Sequence, residues 1–297
     1  MKTILVTGAG GYIGTHVVTT LLDLGHAVIA TDLNIDRIDP RATRIACDLF
    51  SLCDPAATLG VPDTVLHLAW RDGFVHGSLR HLEDLGAHYT FLERMIAAGA
   101  QRICVMGSMH EIGYHEGAID ENTPQNPSSL YGIAKNALRQ SLSALARQRT
   151  FSLLWLRGYY ILGDDSRNHS VFAKILEKEQ AGEATFPFTS GKNKCDFLDV
   201  GDLALEIALC AAAEVEGIVN CCSGKPISLG EQVEQFIARH ALKIRPAYGA
   251  FPDRPYDSPI IYGDNTRIKD VLACFVATAN TSDDVTARAT ALLSRLQ

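Results

Sequence analysis

A tyrosine and a lysine four residues apart are the most direct sign of chemistry in the sequence. Tyr131 and Lys135 stand in a helix-like run, where a spacing of four places both side chains on one face. An ammonium near a phenol favours the phenolate, which lowers the pKa of the phenol from about 10. Such a tyrosine can pass a proton to or from a sugar hydroxyl or a ketone near neutral pH.

Ser108 raises the significance of this pair. The Tyr-x-x-x-Lys spacing alone is also typical of an ordinary surface pair. Ser108 lies 23 residues before Tyr131, at the end of an apolar run, and its hydroxyl can reach the same oxygen as the phenol. Together Ser108, Tyr131 and Lys135 predict acid–base catalysis at a hydroxyl or a carbonyl group.

A glycine-rich segment predicts a dinucleotide site. Residues 7–14 read Thr-Gly-Ala-Gly-Gly-Tyr-Ile-Gly, follow an apolar strand and open a helix. Gly8 permits the tight turn, Gly11 lets the backbone approach a pyrophosphate, and Gly14 allows close packing of helix on strand. The free N–H groups at the helix N-terminus then receive the phosphates.

Asp32 indicates which dinucleotide is preferred. It ends the next strand, 18 residues past Gly14, where a carboxylate can accept hydrogen bonds from a ribose diol. The same carboxylate repels a 2′-phosphate, so the sequence favours NAD(H). NADP(H) stays an alternative, because Arg37 is close in sequence.

Strand-like and helix-like segments alternate through the first two thirds of the chain. The strand candidates are short and mostly apolar, as is typical of strands buried on both faces of a parallel sheet. They are Lys2–Thr7, Ala27–Thr31, Arg44–Cys47, Thr64–Ala69, Arg102–Ser108 and Phe151–Arg157, and the helices between them are Gly14–Leu24, Leu79–Ala98 and Tyr131–Arg147. The alternation predicts an α/β fold with a Rossmann-type doubly wound parallel sheet.

The later segments predict a small C-terminal substrate-binding lobe. Two further strands, 195–200 and 217–222, are expected to return to the sheet or its edge, while helices near 172–180, 229–240 and 285–296 form a lid. We therefore expect a dinucleotide-binding domain over residues 1–160, with 194–223 returning to it. The lobe would comprise residues 161–193 and 224–297.

Composition limits the classes of partner. The net charge of −7 argues against nucleic acid as the main partner, and no apolar run reaches the roughly 18 residues of a membrane helix. The N-terminal run enters a strand too early for a signal peptide. Eight cysteines without a Cys-x-x-Cys pair suggest free thiols in a reducing compartment, so we expect a cytoplasmic protein. His, Cys and acidic residues show no metal-ligand spacing.

Jointly these motifs resemble the extended short-chain dehydrogenase/reductase family. Two further segments extend the likeness, His67-Leu68-Ala69 and the Asp-Phe-x-x-Val-x-Asp run at residues 196–202. The family includes NAD-dependent epimerases, dehydratases and reductases of nucleotide sugars. The resemblance implies that Tyr131 is the general acid/base, that Lys135 tunes it and holds the nicotinamide ribose, and that Ser108 binds the reacting oxygen.

The resemblance also implies a set of cofactor contacts. In addition to Tyr131 and Lys135 these are Gly8, Gly11, Tyr12, Ile13, Gly14, Asp32, Asp48, Leu49, Leu68 and Ala69. For Asp48, capping of a helix N-terminus is the alternative interpretation. His67 is expected to be a structural hydrogen-bonding residue rather than a base.

Departures from the family pattern narrow the reaction. The 4,6-dehydratases of the family carry an Asp-Glu pair directly after the catalytic hydroxyl residue, whereas this chain has Met109 and His110. Methionine cannot transfer a proton, so dehydration is disfavoured. The epimerases often have an asparagine where this chain has Tyr160, which puts that substrate contact in doubt.

The segment 107–117 resembles reductases that convert a dTDP-4-keto-6-deoxyhexose into a 6-deoxy sugar such as dTDP-D-fucose. That likeness implies that His110 and Glu111 lie near the sugar, although bonds to local backbone are an equal alternative. Trp70, Met109 and Tyr160 complete the expected sugar pocket. An anionic nucleotide sugar also needs a cation to pair with its diphosphate. Arg245 is the preferred candidate, and the others are Arg71, Arg157, Lys192, Lys194 and Arg254.

The sequence thus predicts NAD(P)H-dependent reduction of the C4 ketone of a nucleotide-linked 4-keto-6-deoxy sugar. The alternatives are a 4-epimerase, a 4,6-dehydratase and a non-catalytic dinucleotide-binding module. Family members commonly form homodimers through the helices around 79–98 and 131–147. Ala134, Ala137, Leu138, Leu142 and Leu145 offer an apolar face there, which periodicity assigns equally to a dimer or to the core.

Overall fold

The computed structural model describes residues 1–163, 170–253, 257–279 and 283–297. The strands are β1 (Thr3–Thr7), β2 (Ala27–Asp32), β3 (Thr43–Ala46), β4 (Thr64–His67), β5 (Arg102–Ser108), β6 (Gly117–Ile119), β7 (Ser152–Gly158), β8 (Tyr160–Leu162), β9 (Thr185–Pro187), β10 (Lys194–Asp199), β11 (Gly217–Cys221), β12 (Pro226–Ser228), β13 (Arg245–Ala247) and β14 (Ile260–Gly263). The helices are α1 (Tyr12–Asp23), α2 (Pro55–Leu59), α3 (Arg80–Glu83), α4 (Leu85–Ala97), α5 (Leu130–Ala146), α6 (Val171–Gln180), α7 (Val200–Ala212), α8 (Leu229–Arg239), α9 (Thr266–Thr278) and α10 (Asp283–Leu296), with short 3₁₀ turns at Leu49–Ser51 and Met109–Glu111.

Seven parallel strands form the main sheet, in the order β11-β7-β5-β4-β1-β2-β3. The predicted α/β fold is confirmed, and all six early strand predictions correspond to strands of this sheet. The strand order reverses between β1 and β4. In open α/β sheets ligands bind beyond the carboxyl ends of the strands at such a point.

Both faces of the sheet are covered because successive side chains of a strand point to opposite faces. Ile4 and Val6 of β1 belong to one buried cluster, which includes residues of α1, α7, α9 and α10. Leu5 belongs to the other, with residues of α4 and α5. Burial on both faces explains why these strands are apolar runs rather than alternating ones.

Two late segments lie elsewhere than the sequence predicts. β10 does not enter the main sheet; it pairs with β8, β12 and β14 in a second sheet that also includes β6. α10 is not part of a lid, since Val285, Ala289, Leu292 and Leu296 are buried in the cluster beside α1 and α7. Spacings of three and four make these residues one apolar face, and the main core buries that face.

The remaining lobe has a core of its own. α6 contributes Phe172 and Ile175, and α8 contributes Val233 and Phe236. β11 forms the edge of the main sheet, as predicted. The predicted division into a dinucleotide-binding domain and a lobe stays a prediction. Helices α9 and α10, which that prediction placed in the lobe, pack on the core of the main sheet. Among the described helices, none combines the length and the apolar character needed to cross a membrane.

Candidate active site

The glycine-rich turn joins β1 to α1 at the point where the strand order reverses. Gly8 has a φ of +68°, and a Cβ there would lie 2.6 Å from the backbone nitrogen of Ala69. A Cβ on Gly14 would lie 2.1 Å from the carbonyl oxygen of Gly8. Backbone atoms therefore exclude side chains at these two positions, which keeps the connection between β1 and α1 tight, as in turns that receive a pyrophosphate at a helix N-terminus.

Asp32 lies beside this turn at the end of β2. Its carboxylate accepts hydrogen bonds from the backbone N–H of Gly10 at 2.9 Å and of Leu33 at 2.7 Å. Asp48 accepts from Phe50 N at 3.0 Å and caps the first 3₁₀ turn, which is the alternative that the sequence left open. Its exposed carboxylate has this local role whether or not it also meets a cofactor.

Tyr12 and the segment after β4 border the same turn. The Tyr12 hydroxyl donates to the Gly163 carbonyl at 2.5 Å, and its ring lies 6.3 Å from that of Phe74. Leu68 N donates to the Thr7 carbonyl at 3.2 Å. Ile13 packs on the main core, and Leu49 is buried in the cluster of the opposite face. These positions stay predicted cofactor contacts.

The structure brings Ser108, Tyr131 and Lys135 together. Ser108 ends β5 and caps the second 3₁₀ turn, and its side chain lies close enough to Tyr131 to lower the pKa of the phenol, against the effect of burial. Tyr131 lies in the first turn of α5, whose N-terminus is capped by Ser129. Gly132 lets this turn approach, because a Cβ there would lie 2.1 Å from the carbonyl oxygen of His110.

Lys135 is buried one turn further along α5. Its Nζ donates to the Met106 carbonyl at 2.6 Å and lies 3.8 Å from the centroid of the Trp70 ring. Burial lowers the pKa of Lys135 to about 7, although the charge of Glu111 opposes this shift.

The predicted lowering of the tyrosine pKa is wrong for this structure. Burial raises the pKa of Tyr131 to about 12; the hydrogen bond from Ser108 opposes the shift and the charge of Glu111 adds to it. The Lys135 ammonium lies 5.9 Å from the centre of the tyrosine ring, so it does not offset the loss of solvation. The phenol consequently holds its proton at neutral pH.

Glu111 is turned into the interior, so of the two alternatives that the sequence left open for it the structure has the bond to local backbone. It is fully buried, and its carboxylate accepts hydrogen bonds from Ser108 N at 2.6 Å and from Trp155 Nε1 at 2.9 Å. The guanidinium Nε of Arg157, also fully buried, lies 3.7 Å away. Gly107 makes room for this cluster, since a Cβ there would lie 2.0 Å from Trp155 Nε1.

Met109 is likewise not a wall of the pocket, because it is 6 % exposed and packs in the core of the lobe. His110 and Tyr160 do share the region of Tyr131. The His110 ring lies 5.9 Å from that of Tyr131 and 6.5 Å from that of Tyr160. Burial lowers the pKa of His110 to about 3, so this ring is neutral at physiological pH.

The sequence analysis missed three histidines, two beside Tyr131 and one beside Trp70. The His76 ring stacks on the Tyr131 ring at 5.1 Å, and its carbonyl accepts from Tyr131 N at 3.0 Å. His81 lies 5.2 Å from the same ring, and His88 stacks on Trp70 at 4.4 Å. All three histidines lie in the segment that follows β4, at the carboxyl edge of the sheet, and this clustering could have indicated that they lie near the site.

The choice of Arg245 as the cation for a diphosphate stays a prediction, and the structure gives the surroundings of the candidate side chains that it describes. Arg245 is exposed in β13, where its guanidinium donates to the carbonyls of Leu242 and Ile244. Arg71 pairs with Asp84 at 2.8 Å, and Arg157 is paired with Glu111 in the interior. Lys192 and Lys194 line a separate cavity of about 500 Å³ in the lobe, and Arg254 lies outside the described residues.

His67 has the structural role that the sequence predicted. Its ring is 1 % exposed and is hydrogen-bonded to Thr7 Oγ1 and to His88 Nδ1, each at 2.8 Å. In the part of the chain that the structure describes, no group of three or more His, Cys, Asp or Glu side chains could hold a metal ion.

A doubly wound parallel sheet with a glycine-rich turn and a Ser, Tyr and Lys set at its carboxyl edge defines a dinucleotide-dependent enzyme of the short-chain dehydrogenase/reductase type. The chain belongs to the NAD dependent epimerase/dehydratase family, whose model matches residues 4–222. The resemblance drawn from the motifs is thereby confirmed at the level of the family.

Relatives and solved structures agree with this assignment. The chain is 46% identical over 268 residues to a dTDP-6-deoxy-L-talose 4-dehydrogenase (NAD(+)) of Aggregatibacter actinomycetemcomitans, covering 88% of this chain and 98% of that protein. MoeE5, solved with UDP-glucuronic acid and NAD, is similar with a TM-score of 0.78 and 25% identity, covering 99% of this chain and 98% of that one. A UDP-N-acetylglucosamine 4-epimerase from Methanobrevibacter ruminantium M1 shares the fold, with a TM-score of 0.80 and 20% identity over 99% and 97% of the two chains.

Proposed function

We propose that this protein interconverts a C4 hydroxyl and a C4 ketone on a dTDP-linked 6-deoxyhexose, with NAD(H) as the redox partner. The observation that carries the proposal is the assembly of Ser108, Tyr131 and Lys135 at the carboxyl edge of the sheet, beside the glycine-rich turn. The sugar class and the position of the reacting carbon are supported by the 46% identity to a dTDP-6-deoxy-L-talose 4-dehydrogenase.

The glycine-rich turn supports dinucleotide binding, because the close backbone packing at Gly8 and Gly14 brings the N-terminus of α1 to the carboxyl edge of the sheet, where a pyrophosphate would be held. When bound, the nicotinamide would supply or accept the hydride. Asp32 supports NAD(H) over NADP(H), since its carboxylate at the end of β2 would repel a 2′-phosphate.

The proton at the C4 oxygen is handled by Tyr131. In the direction of reduction its phenol donates the proton, and the Ser108 hydroxyl hydrogen-bonds to the same oxygen. A raised pKa keeps the phenol protonated at neutral pH, which favours this direction for the first proton transfer. Oxidation of the alcohol follows the same path in reverse, with Tyr131 accepting the proton as a phenolate.

The residues after Ser108 do not support dehydration. Met109 carries no proton to transfer and is packed in the lobe core, and Glu111 is turned into the interior. A 4-epimerase stays the alternative, because oxidation and reduction at C4 from opposite faces would use the same three residues.

The test is NADH absorbance at 340 nm with purified protein and two ketones. One is dTDP-4-keto-6-deoxyglucose, and the other is the 4-ketone obtained by oxidising dTDP-6-deoxy-L-talose. We expect stoichiometric loss of NADH with at least one ketone, and NMR of the product identifies the stereochemistry at C4. Interconversion of C4 epimers without a net change in NADH would favour the epimerase, and no reaction with either ketone would overturn the proposal.

The matched variants are Tyr131→Phe and Tyr89→Phe. Each removes one hydroxyl, but Tyr89 is a half-buried residue of α4 that packs against the core cluster shared by α4 and α5. We expect Tyr131→Phe to lower turnover by about 10² to 10⁴-fold while NADH binding persists, because only the proton transfer is lost. Tyr89→Phe should keep the activity of the unsubstituted protein. Equal activities of the two variants would refute the role of Tyr131.

A further inference from the structure

Trp70 contacts both residues of the Tyr131 and Lys135 pair. The Lys135 Nζ lies 3.8 Å from the centroid of its ring, within the range of a cation–π interaction. The Tyr131 and Trp70 rings are nearly perpendicular, with a centroid distance of 6.1 Å. The indole is half-buried, so it forms part of the wall of the site and not part of the deep core.

The orientation of the indole is fixed by two contacts. It stacks on the His88 ring at 4.4 Å with 11° between the planes. Its Nε1 donates to Nδ1 of His81 at 3.1 Å. Because Nδ1 of His81 accepts this bond, the proton of the neutral ring is on Nε2, which donates to the Val75 carbonyl at 3.0 Å.

His88 is itself anchored to the glycine-rich turn. Its Nδ1 is hydrogen-bonded to His67, which is hydrogen-bonded to Thr7 at the end of β1. Burial holds the pKa values of both imidazoles below their ordinary value, so both are neutral near pH 7. With both imidazoles neutral, the charge that lies 3.8 Å from the indole centroid is that of protonated Lys135.

We propose that Trp70 is a positioning residue for Lys135, holding the ammonium beside Tyr131 by its indole face. The Met106 carbonyl takes one N–H of the ammonium. An aromatic face attracts the charge without acting as a directional acceptor, so the other N–H groups are available to hydroxyls of a ligand. A carboxylate in the place of the indole would compete for those donors and pair with the charge.

This inference rests in part on the proposed function, so its first test needs no substrate. The chain has two tryptophans, Trp70 and Trp155. The protein is labelled with 5-fluorotryptophan, and Trp70→Phe assigns the two ¹⁹F resonances. We expect Lys135→Met to move the Trp70 resonance more than the Trp155 resonance. We also expect the Trp70 resonance of the unsubstituted protein to shift with pH in a transition that is lost in Lys135→Met. A Trp70 resonance that ignores both changes would overturn the proposal.

The second test uses turnover of whichever ketone the protein reduces. Trp70→Leu removes the aromatic face, whereas Trp70→Phe keeps a face and loses the bond to His81. We expect Trp70→Leu to lower kcat by about 10-fold, and Trp70→Phe to recover most of the loss. Equal losses in both variants would contradict the role of the face. If the unsubstituted protein reduces neither ketone, the proposed function fails while the ¹⁹F test still decides the inference.

Discussion

Burial is the main cause of the pKa shifts of Tyr131 and Lys135. The loss of solvation raises the pKa of the phenol to about 12 and lowers that of the ammonium to about 7. The spacing of four was sufficient to predict that they share a helix face. It could not predict the sign of the shift at Tyr131, because that sign depends on how deeply other segments bury the hydroxyl.

Lys135 makes stability depend on pH in a defined window. Its folded pKa of about 7 lies below the ordinary lysine value of 10.5, so between these values the unfolded state binds one more proton than the native state. The free energy of unfolding should therefore rise with pH from about 7 to about 10, by at most about 1.4 kcal/mol per pH unit. Lys135→Met lacks this contribution.

The measurement is urea denaturation of both proteins, free of cofactor, at pH 7, 8 and 9. We expect the free energy of unfolding of the unsubstituted protein, minus that of Lys135→Met, to increase as pH rises. Other titrating groups are common to both proteins and cancel in the difference. A difference that is constant with pH would show that Lys135 keeps an ordinary pKa.

At the scale of elements, the sequence predicted most of what parallel β-α units require. Strands buried on both faces are continuous apolar runs, and this pattern located β1, β2, β4, β5 and β7. The local pattern could not locate α10, because an apolar face at helical spacing is the same whether it covers a lobe or the main core. The pairing of β10 in the second sheet likewise depends on β8, β12 and β14, which are only three or four residues long.

The 3₁₀ turn after β5 is a second place where the local sequence pattern could not predict tertiary contacts, here within the site. The resemblance of segment 107–117 to 4-keto reductases placed Glu111 near the sugar, but its partners Trp155 and Arg157 come from β7, more than 40 residues later. The carboxylate caps Ser108 N and pairs with Arg157, so it supports the turn from behind. A positioning role of this kind is set by tertiary contacts that no local motif contains.

Removing this carboxylate should destabilise the protein strongly. Glu111→Ala leaves Arg157 charged and buried without its partner, and breaking such a pair costs about 3–5 kcal/mol of the free energy of unfolding. Glu116→Ala is the matched control, because Glu116 is exposed and bonded to the Tyr114 hydroxyl, and we expect a change within about 0.5 kcal/mol. Urea denaturation at pH 7 measures both variants. Similar losses in the two would contradict the role assigned to Glu111.

At the scale of the whole molecule, the predicted homodimer needs a surface that the monomer leaves uncovered. The face of α5 named from its periodicity does not supply one, because Ala134, Leu138, Leu142 and Leu145 are buried within the chain. Apolar side chains do remain exposed nearby: Leu79 and Leu82 at α3, and Ile133 on α5, with α3 packed against α5. We expect this exposed group, rather than the buried face, to form the seam of a dimer.

Light scattering after size exclusion tests that expectation directly. We expect a mass of twice 32.2 kDa for the unsubstituted protein and of 32.2 kDa for the double variant Leu82→Glu/Ile133→Glu. The variant should be a monomer because two pairs of like charges would face each other across a twofold seam. Val61→Glu is the control, since it places the same charge on an exposed side chain in the turn before β4 and should leave the dimer intact. A monomeric unsubstituted protein would refute the dimer. A dimer that survives the double substitution would locate the seam on another surface.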